Sequence, residues 1–271
     1  MKKYFIVIVI ILISSTIIGF TQILQSNTKS VFPKKIDVGE DIIYVVKYLM
    51  FNIGEVRLKV TKEETSGKDT IYSAIAYIDS YPEIPFVDLH QIYETKFDSK
   101  QISHLFKGTI ISSDTTYTKY DFNRYDKKIH VLKGREQTNT IWTDSIATYD
   151  RDYRDGLSLF YFARMRTGQQ KKSVHVPVFI NEKYAKTYIN FYSEVEDEDI
   201  DAVDYDIACV RLDGETEFKG IFGLTGYFKG WFSNDEYAVP IVAKMQVIIG
   251  SITLELKEWN KKEWMPPKYK D

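Results

Sequence analysis

From residue 42 onward the chain is written largely in a period of two. Ile42-Ile43-Tyr44-Val45-Val46-Lys47-Tyr48 is a nearly continuous apolar run, and Val56-Arg57-Leu58-Lys59-Val60 alternates apolar with charged, the patterns of a buried and a half-buried strand. With Asn52-Ile53-Gly54 read as the turn between them, they form a hairpin. Ser66-Gly67-Lys68-Asp69 then leads into a strand over Ile71 to Ile78, which Tyr81-Pro82-Glu83-Ile84-Pro85 stops. Short runs at 91–97, 102–111, 115–122 and 128–132 continue as a meander of antiparallel neighbours, and strands resume at 173–180, 183–195 and 204–213. The last pair, 239–249 and 252–259, is read as a hairpin about Gly250-Ser251.

One segment breaks the period. Asp155 supplies an N-cap side chain, Arg164 and Arg166 fall in the last turn, and Gly168 stands where a C-terminal glycine belongs, which predicts a helix over about 155–167. Leu157, Phe160, Tyr161 and Arg164 share one face, yet Leu159, Phe162 and Met165 make the opposite side apolar too. A helix apolar on both sides is expected inside a curved sheet that wraps it. The pattern therefore predicts a mainly β fold: one large curved antiparallel sheet, a half-barrel or open barrel-like form, with a single main helix.

The N-terminus is of another kind. Lys2 and Lys3 precede an uncharged apolar run from Tyr4 to Phe20, the layout of a secretory signal, with cleavage expected between Gly19 and Ser26. Retention as a membrane anchor is the alternative. The expected organisation is a signal peptide or anchor over 1–26, a linker over 27–35, one β-rich domain over 36–260, and a tail from Lys261 that leaves the fold through Pro266-Pro267. Localisation follows as periplasmic, with inner-membrane contact if residues 4–20 stay attached.

Composition narrows the function classes. The net charge of −2 offers no footprint for a nucleic-acid backbone, and 15% aromatic residues suit pleated, half-buried surfaces. His90, His104, His130 and His175 are scattered without metal-ligand spacing, so neither a metal nor a cofactor is expected. Cys209, the one cysteine, sits in an apolar strand and reads as a buried thiol. The acidic run Glu194 to Asp206 lacks the turn glycine of a calcium loop and reads as a solvated hairpin tip. No G-x-S-x-G, P-loop or G-x-G-x-x-G occurs, and no catalytic residue is assigned.

The candidates for a ligand groove are Arg164, Tyr161, Phe222, Tyr227, Trp231 and Asp235. Arg164 closes the apolar stripe of a buried helix, where a guanidinium needs an internal carboxylate, with Asp235 the expected partner, or an anionic headgroup. Phe222, Tyr227, Phe228, Trp231 and Phe232, spaced by glycines, could wall a groove or fill a core.

Val38-Gly39-Glu40 opening the first strand, Gly54 leading Val56 to Val60, the 155–164 helix, Trp231-Phe232-Ser233-Asn234-Asp235 before Val239-Pro240-Ile241, and Gly250 together resemble the domain of unknown function 3108 family of exported Gram-negative proteins. The resemblance covers roughly residues 36–259 and transfers no catalytic residue. It implies an outline similar to the half-barrels of periplasmic lipoprotein carriers. The leading expectation is a non-enzymatic envelope protein that binds an apolar or lipid-like ligand or an envelope protein partner. A protein that recruits partners at an open sheet edge is the alternative, and an envelope glycan hydrolase the second.

Overall fold

The computed structural model describes residues 32–85, 88–169, 172–218, 225–247 and 250–270. The expectation for residues 1–26 lies outside them. Fourteen strands form one antiparallel sheet in the order β8-β7-β6-β5-β4-β3-β2-β1-β14-β13-β12-β11-β10-β9. They are β1 (Asp41–Tyr48), β2 (Phe51–Ser66), β3 (Asp69–Ser80), β4 (His90–Asp98), β5 (Ser103–Ile110), β6 (Thr116–Asn123), β7 (Lys128–Arg135) and β8 (Ile141–Thr148), then β9 (Lys172–Ile180), β10 (Lys183–Glu198), β11 (Ile207–Thr216), β12 (Gly226–Ser233), β13 (Pro240–Gln246) and β14 (Ser251–Asn260). Each half is a meander of sequence neighbours. The halves join where β1 pairs with β14, from Asp41 opposite Asn260 to Tyr48 opposite Ile252.

The open edges are β8 and β9, and the chain passes from one to the other through helix α1 (Gly156–Arg164). Just before the helix, Arg154 lies along β9: its N–H donates to the Pro177 carbonyl and its own carbonyl accepts from Phe179 N–H at 2.8 Å. β9 is thereby partly covered, as exposed edges in stable proteins are. β8 is not, and Ile141, Trp142 and Ile146 on it are each at least half exposed.

Helix α1 is buried on both sides, as its apolar pattern predicts. Leu157 and Tyr161 join a core with Ile42, Tyr44, Val56, Leu58, Ala76 and Phe97 from the β1–β4 side. Leu159, Phe162 and Ala163 join a second core with Val178, Ile189, Phe191 and Leu212 from the β9–β11 side. Each large apolar side chain so buried contributes about 1.5–3 kcal/mol, which holds the helix between the halves.

Three local expectations are corrected. Asn52-Ile53-Gly54 is not a turn: the chain reverses at Leu49-Met50, and Gly54 lies within β2, where a Cβ would strike the Asp79 carbonyl of β3. Glycine there serves close strand approach. The final hairpin does not turn on Gly250-Ser251 alone, because Gln246 pairs with Ser251 and the connection begins at Val247, whose N–H donates to the Gly250 carbonyl. The tail does not leave the fold. Trp264 is 6% exposed, and the 267–269 segment pairs with β11 and its approach through Ala208 N–H to Pro267 and Tyr269 N–H to Asp206.

Candidate functional site

The period of two decides which aromatics reach the interior. Along β12, Phe228, Gly230 and Phe232 wall a partly open cavity of about 130 Å³, whereas Tyr227 and Trp231 alternate to the other face. The opposite wall is α1, through Leu159, Phe160 and Ala163, with Tyr44, Leu58 and Leu254 from the central strands. Gly214 of β11 makes the aromatic wall possible, since a Cβ there would come within 2.6 Å of the Phe228 ring across the strand pair. The lining is almost all carbon. Its polar exceptions include Thr187 and Tyr44, whose hydroxyls are buried without a hydrogen-bond partner. Burial pushes the Tyr44 phenol well above its ordinary range.

A second cavity, of about 140 Å³, shares Gly156 and Ile180 with the first and is more polar. Its wall includes Asp155, Glu182, Lys133 and Tyr120. Both carboxylates are engaged. Glu182 accepts from Tyr120 Oη at 2.7 Å and from Lys133 Nζ at 3.0 Å. Asp155 caps α1, taking the N–H groups of Leu157 and Ser158 on one oxygen and the hydroxyls of Thr95 and Ser103 on the other. Burial raises its carboxyl despite these bonds. A carboxylate that accepts four hydrogen bonds is placed to hold a helix and is poorly placed to trade protons.

Arg164 is where the sequence reading needs its main correction. Its partner is Glu40: Nη1 and Nη2 donate to the two carboxylate oxygens at 2.5 and 2.7 Å, and Nε donates to the Tyr237 carbonyl at 3.0 Å. Lys261 Nζ stands 3.3 Å from Glu40 and 2.6 Å from Asp37, which leaves this cluster of charges paired. Asp235 instead organises the β12–β13 turn, accepting from Ser233 Oγ, the N–H groups of Tyr237 and Ala238, and Trp264 Nε1. Its loop position gives it three local donors and one from the C-terminal segment, and the guanidinium is met by a carboxylate that follows Gly39 at the entry to β1.

The other candidates do not assemble. Tyr161 stacks on Phe97, ring centroids 4.9 Å apart, on the side of α1 away from the first cavity. Trp231 is buried on the outer face, its Nε1 donating to Glu196 at 2.8 Å, and Tyr227 is exposed. Phe222 lies outside the described residues. Of the aromatics that the sequence offers as groove or core, Phe228 and Phe232 wall the cavity, as strict alternation along β12 separates them from 227 and 231; Leu159 and Ala163 are walls that the sequence reading does not single out. Cys209 is fully buried, and burial raises its thiol far above the ordinary range. The acidic run is only partly a solvated tip: Ile200 is buried, and Glu196 pairs with Arg211 at 3.0 Å. Among the described residues no three His, Cys, Asp or Glu side chains cluster as metal ligands.

The architecture defines a class: an unclosed antiparallel barrel wall wrapped about one helix, with an apolar cavity between helix and sheet. The chain belongs to the family described as protein of unknown function DUF3108, matched over residues 43–257. No curated protein matches it. Among solved structures it is similar to a beta-barrel-like protein of domain of unknown function DUF1849 from Brucella abortus, at 8% identity over 83% of this chain and 98% of that one, with a TM-score of 0.48.

Proposed function

We propose that the domain is a non-enzymatic binding protein for an apolar ligand, acting in the bacterial envelope after export directed by the Lys2-Lys3 and 4–20 segment. The observation that carries this reading is the partly open apolar cavity of about 130 Å³ lined by Phe228, Phe232, Leu159, Ala163 and Leu254. An engineered cavity of roughly 150 Å³ with a comparable lining takes up benzene, so the space suits one ring or one stretch of a single chain. A two-chain lipid exceeds it.

The test is native mass spectrometry of the full chain purified from envelopes without detergent, followed by organic extraction. A discrete apolar adduct supports the reading. A clean apo mass, together with no uptake of the neutral probe N-phenyl-1-naphthylamine, would remove it.

A second reading rests on β8. This edge strand exposes Ile141, Trp142 and Ile146, has no proline and no lysine, and is paired only with β7. Such an edge suits strand addition by an envelope protein partner. Ile146→Lys should then abolish capture of that partner while leaving probe uptake intact, and equal capture by both forms would exclude the edge.

A further inference from the structure

From Asp155 to Glu182 the sequence contains no acidic residue between the two, yet Arg164, Arg166, Lys171 and Lys172 fall within that stretch. Arg164 has its carboxylate in Glu40. Arg166 and the nearby Arg154 do not. Both guanidinium groups lie against the ring of Phe162, with Cζ to centroid distances of 4.2 Å for Arg154 and 3.6 Å for Arg166.

Arg154 is 8% exposed, and its side chain makes one hydrogen bond, Nη2 to the Lys100 carbonyl at 3.0 Å. Its Nε is buried with no partner. Arg166 donates through Nη1 alone, to Gln101 Oε1 at 2.8 Å and to the Phe162 carbonyl at 3.2 Å. The nearest acids are committed elsewhere: Asp98 takes Arg124 Nη1 at 2.6 Å and the N–H groups of Lys100 and Ile102, and Asp152 faces Arg124 at 4.0 Å. Burial, and then repulsion from Arg166, push the Arg154 guanidinium down to about 10, with Asp98 and Asp152 too weak to reverse it.

Two cations against one ring, largely withdrawn from water and without a carboxylate, form an arrangement that proteins ordinarily offset with a counter-charge. The aromatic face compensates part of the cost. What remains unsatisfied is an arginine fork, whose planar donors match the oxygens of phosphate or carboxylate. Among the described residues Arg154 Nη1 and the Nε and Nη2 of Arg166 have no acceptor, so they are available to such a group.

We infer that Arg154, just before α1, and Arg166, just after it, hold an oxyanion at the edge of the Phe162 ring, presented by a phosphate-bearing ligand. The site is distinct from the apolar cavity, whose lining includes neither Phe162 nor either arginine. It does not depend on the proposed apolar ligand.

The experiment is titration calorimetry of the full chain with inorganic phosphate, paired with flotation on phosphatidylglycerol and phosphatidylcholine vesicles. Wild-type protein is expected to bind phosphate at one site, with affinity falling as sodium chloride is added. Arg166→Gln, at a half-buried position past the helix, should weaken it at least about tenfold, the loss of about 1.4 kcal/mol of charge-assisted hydrogen bonding. Binding to phosphatidylglycerol vesicles alone, lost in Arg166→Gln, identifies a lipid phosphate as the source. Binding that Arg166→Gln leaves unchanged overturns the inference, and so does the absence of binding to both phosphate and vesicles. Arg154→Lys, which keeps the charge and removes the fork, checks the same point without emptying the core, and unaltered phosphate affinity in that variant would place the anion elsewhere.

Discussion

Arg164 and Glu40, 124 positions apart, close a two-pronged ion pair in which each side chain is 1% exposed. It ties the last turn of α1 to the entry of β1, and thus the helix to the seam between the two halves of the sheet. Breaking a buried pair strands the remaining charge, at about 3–5 kcal/mol. Arg164→Met and Glu40→Gln are each expected to lose that much in urea unfolding, and the double variant Arg164→Met/Glu40→Leu less than either single one.

The same pair sets an acid limit. Burial would raise the Glu40 carboxyl, but the charge and hydrogen bonds of Arg164, followed by Lys261, outweigh it and hold the group below its ordinary value. A depressed carboxylate contributes stability that is complete above the unfolded value of about 4.3 and is lost as pH falls through the lower folded value. The stability gap between wild type and Glu40→Gln should therefore stay flat from about pH 7 to pH 5 and shrink below about pH 4. Urea midpoints at stepped pH measure it.

Ala163 faces the apolar cavity from α1. Ala163→Leu should occupy part of that space, raise stability by on the order of 1 kcal/mol, and cut uptake of N-phenyl-1-naphthylamine at least about tenfold. Fluorescence titration with a thermal melt reads both. A stabilised variant that still takes up the probe would move the binding site away from this cavity.

Asp155 carries four hydrogen bonds from two backbone and two side-chain donors, all buried. Asp155→Ala removes the cap and leaves the hydroxyls of Thr95 and Ser103 only their other partners, the Leu105 carbonyl and Ser158 Oγ, for an expected loss of about 2 kcal/mol. Asp155→Asn keeps an acceptor for the two N–H groups and should cost less. Urea unfolding ranks the two variants, and hydrogen exchange at Leu157 and Ser158 locates the effect.

The strands, the helix with its cap, and the burial of that helix on both sides were legible because each rests on a short-range pattern: alternation, an aspartate before an apolar run, a stripe on each face. The partner of Arg164 was not, since nothing local distinguishes Glu40 from Asp235 as its acceptor; chain reversal across the sheet decides it. Gly54 shows the same limit in a smaller way. A glycine near a turn and a glycine pressed against a neighbouring strand look alike until the neighbour is known, and the Asp79 carbonyl is 25 positions away. Along β12 parity decides: the groove candidates Tyr227 and Trp231 face away from the cavity that Phe228 and Phe232 wall, because adjacent residues of a strand point to opposite faces.

The β1–β14 seam also sets the order in which the sheet can be completed. Strands β2 to β8 can pair with their predecessors as soon as each is synthesised, because every partner is already in place. One edge of β1 is different: its hydrogen-bonding groups wait for Ser251–Asn260, which follows all the other strands of the sheet in the chain. Until then the nascent chain carries a bare apolar strand edge at its centre, a template for wrong pairing with another chain. The interval before β14 arrives, more than the folded state, is thus when this fold is most open to wrong pairing.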